Sequence, residues 1–216
     1  MYTFIKKKRW IKSFARRSKL EPNTEKVLEM CSLKNNKESI EKIVNSHNRI
    51  QIEVGFGRGE NILYQALNEP DVLFIGCEPY LRGVYSLLVN IEKYNIKNIL
   101  IWIEDARELI ANFPDKSIEN FFILFPDPWP KRRHHKRRLI NKEFLNLLAK
   151  KMIDTGGIFI ATDHQCYSEW IMLHVKECSF LIYTENDYCN LPITKYHQRA
   201  LKLQHKIRFF KLSKNR

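Results

Sequence analysis

The chain has 216 residues, 44% of them hydrophobic and 28% charged, which suits one well-cored α/β domain and excludes a disordered or fibrous chain. No run of about 18 apolar residues occurs, so no membrane span is expected. The net charge is +13, and 22 of the 37 Lys and Arg fall in Lys6–Lys19, Lys131–Arg138 and Lys195–Arg216. Segments so rich in positive charge predict a nucleic acid or an anionic membrane surface as the partner.

The five cysteines include no C-x-x-C pair, which predicts reduced thiols in a cytoplasmic protein rather than a disulfide framework. The histidines show no H-E-x-x-H spacing, and His164-x-Cys166 is more typical of a structural pair than of a metal site. We therefore expect no metal. The sequence leaves open whether the protein is a monomer or a homodimer.

The first predicted feature is a basic arm at Lys6–Leu20, where positive charge alternates with Trp10 and Phe14. Aromatic rings in such an arm stack on bases or dock the arm, although a solvated terminus explains the charge alone equally well. We predict an arm and linker at residues 1–45 and the main domain at residues 46–216.

A strand is predicted at Arg49–Val54, followed by the glycine-rich turn Gly55–Gly59 and a helix from Glu60 to Leu67. This is the opening unit of a nucleotide-binding sheet, in which missing side chains let the backbone approach a ligand. The turn is not a P-loop, because no Gly-Lys-Ser/Thr follows. It also fails the pattern G-x-G-x-x-G, since Glu60 takes the place of the third glycine.

Acidic residues lie near the ends of the predicted buried strands. Further strands are predicted at Val72–Cys77 and Ile99–Ile103, with a helix at Leu81–Tyr94 between them. The acids are Glu53, Glu78, Glu104, Asp105 and Asp127. Because the carboxyl ends of parallel strands share one edge, these acids predict a pocket for a ligand with hydroxyls and amines. Glu78 lies about 20 residues past Gly57, the spacing at which a carboxylate at the end of a strand accepts hydrogen bonds from a ribose diol.

A fourth strand, Phe121–Phe125, runs into the loop Pro126–Pro130, in which Asp127 and Trp129 separate three prolines. The prolines hold the backbone extended and stiff, so Asp127 is a carboxylate on a rigid loop at the ligand-binding edge. Six of the next eight residues, Lys131–Arg138, are Lys or Arg. Such density costs self-repulsion unless a polyanion is bound, so the region predicts chemistry on a polyanion.

The rest of the chain continues the alternation of helices and strands. The predicted elements are a helix at Asn141–Met152, a strand at Ile158–Thr162, a helix at Tyr167–Lys176, a strand at Phe180–Tyr183, a loop with a helix within Leu191–Gln204, and a strand at Ile207–Leu212.

Together these motifs resemble the class I S-adenosylmethionine-dependent methyltransferases and, more narrowly, the bacterial tRNA (guanine-N7)-methyltransferase family. The resemblance covers nearly the whole chain and rests on Glu53–Glu60, Glu78, Asp105-Ala106, Phe125–Arg138, Thr162-Asp163 and Thr194–Tyr196. It implies an α/β, Rossmann-like sandwich with a mostly parallel central sheet, an antiparallel C-terminal strand and a basic N-terminal arm.

The resemblance also implies methyl transfer from S-adenosyl-L-methionine to N7 of the variable-loop guanine of tRNA, giving 7-methylguanosine and S-adenosyl-L-homocysteine. The implied cofactor contacts are Glu53, Gly55, Gly57, Glu78, Asp105, Ala106 and Asp127. The implied substrate contacts are Lys131, Asp163, Thr194, Lys195 and His197. The implied RNA-binding residues are Arg132, Arg133, Lys136, Arg137, Arg138, Arg16 and Arg17. Asp127 is also the catalytic candidate, because a fixed carboxylate stabilises the positive charge that develops on the purine.

One motif departs from the family pattern, and two other functions stay open. The family closes its last loop with Thr-x-Phe-Glu, where this chain has Tyr196-His197, and an imidazole cannot accept two hydrogen bonds from guanine as a carboxylate does. One rival is an amino-group methyltransferase acting on DNA or protein, although Trp129 replaces the second proline of its Asp-Pro-Pro-aromatic loop. The other is a basic RNA-binding module without turnover, which need not bind the cofactor.

Overall fold

The computed structural model describes residues 28–29, 32–185 and 191–215. The predicted basic arm, with Arg16 and Arg17, lies outside these residues. The described strands are β1 Ile50–Val54, β2 Leu73–Cys77, β3 Ile99–Trp102, β4 Ile118–Leu124, β5 Met152–Thr162, β6 Leu181–Glu185 and β7 Arg208–Lys214. The described α-helices are α1 Lys37–Ser46, α2 Glu60–Asn68, α3 Leu81–Lys93, α4 Ala106–Asn112, α5 Lys142–Lys151, α6 Gln165–Lys176 and α7 Lys195–Lys202, and a 3-10 helix spans Arg132–Arg137.

The strands form one sheet in the order β3-β2-β1-β4-β5-β7-β6. Neighbouring strands from β3 to β5 pair in parallel, and β7 runs antiparallel to both β5 and β6. This confirms the predicted mostly parallel sheet with an antiparallel C-terminal strand. The strand order reverses beside β1, so the ligand crevice of such a sheet lies at the carboxyl ends of β1, β2 and β4.

Every residue of β1 and β2 is buried, which explains the apolar run of β2 and the three aliphatic residues of β1, although β1 also buries Gln51 and Glu53. Because side chains alternate across a strand, Leu73 and Ile75 face one side and Phe74 the other. The larger cluster packs the sheet against α4, α5 and α6, and the smaller cluster packs it against α2 and α3. The helices thus form a layer on each face of the sheet.

Three helical segments were not predicted from the sequence. Helix α1 begins after Asn36, whose side chain accepts a hydrogen bond of 2.9 Å from the Ser39 amide. Helix α4 begins after Asp105, whose side chain accepts from the Arg107 amide. The basic segment, Lys131–Arg138, contains a 3-10 helix at Arg132–Arg137, where only a cationic stretch was expected.

Two predicted boundaries can be compared with the structure, the start of β5 and the division between the arm and the main domain. Strand β5 begins at Met152 and runs through Gly156-Gly157, whereas the sequence predicted a loop there. A Cβ atom at Gly156 would lie 2.2 Å from the Glu119 carbonyl oxygen, so glycine lets the two strands approach beside an irregularity in their pairing. The division at residue 45 stays a prediction, and Leu33 and Ile40, on its N-terminal side, are buried in the core. None of the described helices is long and apolar enough to cross a membrane.

Candidate active site

The glycine loop between β1 and α2 turns through left-handed backbone at Gly55, Gly57 and Gly59, with φ of 77°, 58° and 82°. Residues with a Cβ atom rarely adopt these angles, so the glycines are required by the turn. Helix α3 packs closely on this loop, since a Cβ atom at Gly83 would lie 1.9 Å from the Gly57 carbonyl oxygen.

Two buried carboxyl groups, Glu53 and Glu78, flank the glycine loop. Glu53 accepts a hydrogen bond of 3.0 Å from the Asn61 side chain, and burial raises its pKa to about 8. Glu78 accepts hydrogen bonds of 2.9 Å from the Gly57 amide and 2.8 Å from the Tyr80 amide. Burial also raises the pKa of Glu78. The sequence predicted both acids but gave no reason to select Asn61, which orients Glu53.

An open cleft of about 1180 Å³ lies in front of the glycine loop. Its lining includes Glu53, Gly55 and Gly57, with Leu124 and Phe125 on the β4 side. The start of α7 forms another wall.

The start of α7 is capped within the helix and tied to α2 beside the cleft. Thr194 caps the helix by accepting a hydrogen bond of 3.3 Å from the His197 amide, and the Lys195 amide donates to Glu60 at 2.7 Å. The Tyr196 ring lies over Gly57, where an added Cβ atom would be 3.4 Å from it. The structure thus brings the predicted residues Thr194 and Lys195 to the cleft, and it adds Tyr196.

His197 is the residue where the chain departs from the family pattern. Its ring lies near Phe125 and Phe209, with centroid separations of 6.0 Å and 5.9 Å. Burial lowers the His197 pKa, so the uncharged imidazole is favoured. Packing among aromatic rings accounts for its position.

The loop that carries Asp127 is strained at both ends, because Phe125 and Trp129 have φ of 52° and 44°. Left-handed backbone at aromatic residues is costly and persists only where surrounding contacts enforce it. Asp127 is exposed, and the protein around it raises its pKa by partial desolvation. Its negative charge adds, after burial, to the raised pKa of Glu78, so the two carboxyl groups lie near each other, but neither is part of the cleft lining.

Arg138 is held inside the protein, which argues against the predicted role in RNA binding, and that role stays a prediction. Its side chain is 2% exposed, and its Nε donates a hydrogen bond of 2.9 Å to the Pro128 carbonyl oxygen. Its guanidinium lies over the rings of Tyr167 and Trp170, at 5.2 Å and 5.0 Å. Arg138 therefore fastens the Asp127 loop to α6 and does not present its charge to a phosphate.

The other residues of the basic segment lie nearer the surface. Lys131, Arg132, Arg133 and Lys136 are exposed. Arg137 is partly buried, with its guanidinium 4.9 Å from the centre of the Trp129 ring. RNA binding by these residues stays a prediction.

Asp105, Ala106 and Asp163 lie outside the cleft lining, as do Glu78, Asp127, Lys131 and His197. Asp105 and Ala106 follow β3, and the Asp105 carboxylate forms an ion pair with Arg107. Asp163 follows β5, and its carboxylate lies 2.9 Å from the His205 ring. The cofactor role of the first two and the substrate role of Asp163 stay predictions. Among the described residues, no group of three or more His, Cys, Asp or Glu forms a metal site.

Comparison with known proteins identifies the family to which the chain is related. A family model described as "Putative methyltransferase" matches residues 47–210. The tRNA (guanine-N(7)-)-methyltransferase of Wolbachia pipientis is 69% identical over 97% of this chain and 95% of its own length. The protein of the same name from Hyphomonas neptunium is 46% identical over 56% of each chain.

The chain belongs to the tRNA (guanine-N(7)-)-methyltransferase family. A solved structure of an antibiotic-related methyltransferase shares the fold, with a TM-score of 0.57 over 82% of this chain and 92% of its own, at 21% identity.

Membership in this family implies S-adenosyl-L-methionine as cofactor, and the described residues fit that molecule. Glu53 is a buried acid that lines the cleft, where a bound ammonium group would stabilise its carboxylate. Glu78 lies at the end of β2, where a carboxylate can accept hydrogen bonds from a ribose diol. The close contact between Gly57 and Gly83 keeps side-chain atoms away from the backbone that a ligand would approach.

Proposed function

We propose that this protein transfers the methyl group of S-adenosyl-L-methionine to N7 of the variable-loop guanine of tRNA, giving 7-methylguanosine. The observation that carries the proposal is the position of Asp127, which lies near Glu78 and is followed in the chain by the exposed cations Lys131–Arg133. A cofactor site and a polyanion site therefore share one carboxylate.

Bound S-adenosyl-L-methionine supplies an electrophilic methyl group on a sulfonium sulfur. The protein holds the cofactor through Glu53 and Glu78, whose orientations are fixed by Asn61 and by the Gly57 and Tyr80 amides. Rigid alignment of the reactants makes the largest contribution to catalysis in such a reaction, because a correctly aligned attack geometry lowers the activation free energy by roughly 7–11 kcal/mol.

No residue has to remove a proton, because guanine N7 carries a lone pair at neutral pH. The protein must instead stabilise the positive charge that develops on the purine as N7 is methylated. Asp127 is suited to this, since its carboxylate lies near Glu78 on a strained loop that Arg138 anchors. The role of Asp127 is thus electrostatic and positional.

Substrate binding is proposed for Lys131, Thr194 and Lys195. Lys131 is exposed directly after the Asp127 loop, and the other two begin α7 at the cleft. His197 differs, since its neutral ring packs near Phe125, and we propose that it shapes the wall rather than accepts hydrogen bonds from guanine. A cytoplasmic location is part of the proposal and is supported by the free thiols of Cys77, Cys166 and Cys178.

The decisive test is to incubate the full-length protein with an unmodified tRNA transcript and methyl-labelled S-adenosyl-L-methionine and then to analyse the nucleosides. We expect label in 7-methylguanosine. A matched transcript with 7-deazaguanosine at the variable-loop position lacks the N7 lone pair and is expected to take up no label.

The same assay separates the rival functions. Label in an amino-methylated nucleoside would replace N7 transfer with amino-group transfer. Tight tRNA binding without cofactor binding would indicate a binding module without turnover.

A further inference from the structure

The cleft extends away from Glu53 as a groove between α3 and α7. On α3 its wall is formed by Arg82, Ser86 and Val89, and on α7 by Lys195, Arg199 and Lys202. In both helices these residues are spaced i, i+4 and i+7, so each set lies on one helical face. The two faces line the same groove.

The cleft is larger than one small molecule requires. Its volume is about 1180 Å³, whereas pockets for small ligands occupy about 300–1,000 Å³. The groove therefore leaves room for part of a second, larger ligand beside the cofactor.

Positive charge dominates the groove. Five exposed cations line the cleft: Arg58, Arg82, Lys195, Arg199 and Lys202. In the part of the chain that the structure describes, no ion pair joins any of them to an acid. The lining contains two acids, Glu53, which is buried, and Glu60, which accepts a hydrogen bond from the Lys195 amide. Cations that face one another without such partners repel unless an anion lies between them.

The cofactor does not explain this charge. S-adenosyl-L-methionine carries a sulfonium, an ammonium and one carboxylate at neutral pH, so it is a net cation and its carboxylate needs one positive partner at most. A strand of phosphates suits the groove better. The groove is continuous with the wall at Phe125, close in the chain to Asp127, so a strand in it would continue from the target guanine.

We propose that the groove between α3 and α7 binds phosphates of tRNA nucleotides adjacent to the target guanine. With the exposed cations Lys131, Arg132, Arg133 and Lys136, which follow Asp127 in the chain, it gives the protein two cationic surfaces. This inference rests on the proposed function, since it takes tRNA as the substrate, and it extends RNA binding to residues outside the basic segment.

The test is the salt dependence of tRNA binding by the full-length double variant R82Q/R199Q. Both side chains are exposed and take part in none of the ion pairs of the described residues, so the variant is expected to fold, with unchanged thermal unfolding as the check. Each phosphate contact contributes about 0.7–0.9 to the slope of log K against log salt, so the slope should fall by about 1.4–1.8. The conservative variant R82K/R199K should retain most of the slope.

The matched control is K97Q/K176Q, which removes the same charge from exposed residues. Both lysines lie at the amino-terminal ends of the parallel strands, opposite the cleft, because Lys97 precedes β3 and Lys176 ends α6. We expect this control to keep nearly the wild-type slope. Equal loss in the control and in R82Q/R199Q would overturn the proposal, because the effect would then be one of net charge.

A weaker affinity for S-adenosyl-L-methionine with an unchanged tRNA slope would also overturn it, by assigning the cations to the cofactor carboxylate. The charge reversal Lys202→Glu provides a second variant and should weaken tRNA binding more than Lys176→Glu does. Binding is measured without turnover, so a wild-type protein that forms no 7-methylguanosine would refute the proposed function while the slope still tests the groove.

Discussion

Asp127 is the residue at which charge and shape can be separated. Asp127→Asn keeps the side-chain volume and removes the negative charge. We expect turnover to fall on the order of 100-fold, as when one preorganised electrostatic group is lost, with tRNA affinity nearly unchanged. Single-turnover methylation at saturating cofactor and tRNA measures this. Asp71→Asn, an exposed residue before β2, is the control, and turnover of Asp127→Asn within twofold of wild type would refute the role.

Glu53 is predicted to make stability depend on pH. Burial raises its pKa from 4.5 to about 8, so the folded state binds a proton more tightly than the unfolded state does. The free energy of unfolding should therefore be highest below the lower pKa and fall as pH rises toward the higher one, by at most about 4–5 kcal/mol. Glu53→Gln cannot ionise and should flatten this fall. Urea unfolding of the protein without cofactor, between pH 5 and pH 8.5, tests it, and parallel pH profiles for the two proteins would contradict it.

Arg138 is predicted to act through the Asp127 loop rather than through RNA. Arg138→Met retains apolar packing beside Trp170 but loses the hydrogen bond to Pro128, so we expect about 1–3 kcal/mol of lost stability and a lower single-turnover rate. The salt slope of tRNA binding should stay unchanged.

Arg133→Gln is the comparison for this variant, because Arg133 is exposed in the same basic segment. It should reduce the salt slope by about 0.7–0.9 with little effect on stability. A reduced slope for Arg138→Met would restore Arg138 to the RNA-binding residues.

At the scale of elements, the contact between α3 and the glycine loop positions the cofactor. Gly83→Ala would place a Cβ atom 1.9 Å from the Gly57 carbonyl oxygen, so the helix and the loop must separate. The Gly57 amide also donates to Glu78, so this shift should disturb the proposed ribose-binding carboxylate. We expect cofactor affinity to fall at least tenfold, measured by calorimetry. Glu92→Ala, exposed on the same helix, is the control, and equal affinities would refute the prediction.

For the whole molecule, the basic arm is predicted to contribute tRNA affinity and little to cofactor binding. The full-length variant R16Q/R17Q removes two arm charges, and two phosphate contacts would lower the salt slope by about 1.4–1.8. Its affinity for S-adenosyl-L-methionine should match that of the wild type. The K97Q/K176Q protein again controls for net charge, and a slope equal to that control would contradict a binding role.

The parallel strands were predictable because they are short and buried on both faces. β2 therefore appears in the sequence as an apolar run, β1 carries Ile50, Ile52 and Val54, and the acids near their carboxyl ends fall at one edge. Short helical segments were harder to predict. Helix α4 has seven residues, too few for a clear apolar period, and the 3-10 helix consists almost wholly of charged residues and histidines.

Contacts between distant segments were not predictable from local patterns. Arg138 belongs to a run of cations, and its burial depends on the rings of Tyr167 and Trp170 on another helix. Tyr196 meets Gly57 only because α7 is fastened to Glu60, 135 residues from Lys195. For the same reason, charge density along the sequence found Lys195, Arg199 and Lys202 within a cationic segment but missed the groove, because Arg58 and Arg82 come from the glycine loop and α3.

The raised pKa of Glu53 has a consequence for the energetics of loading the enzyme. Near neutral pH the carboxyl group of the empty protein holds a proton, and an ammonium group placed beside it would favour the charged form. Cofactor binding would then release about one proton, and the calorimetric heat would vary with the ionisation enthalpy of the buffer. S-adenosyl-L-methionine and S-adenosyl-L-homocysteine carry the same ammonium group, so the proton stays off throughout turnover. The pH would then control how tightly the empty enzyme binds S-adenosyl-L-methionine. The turnover rate of the cofactor-bound enzyme would not depend on the ionisation of Glu53.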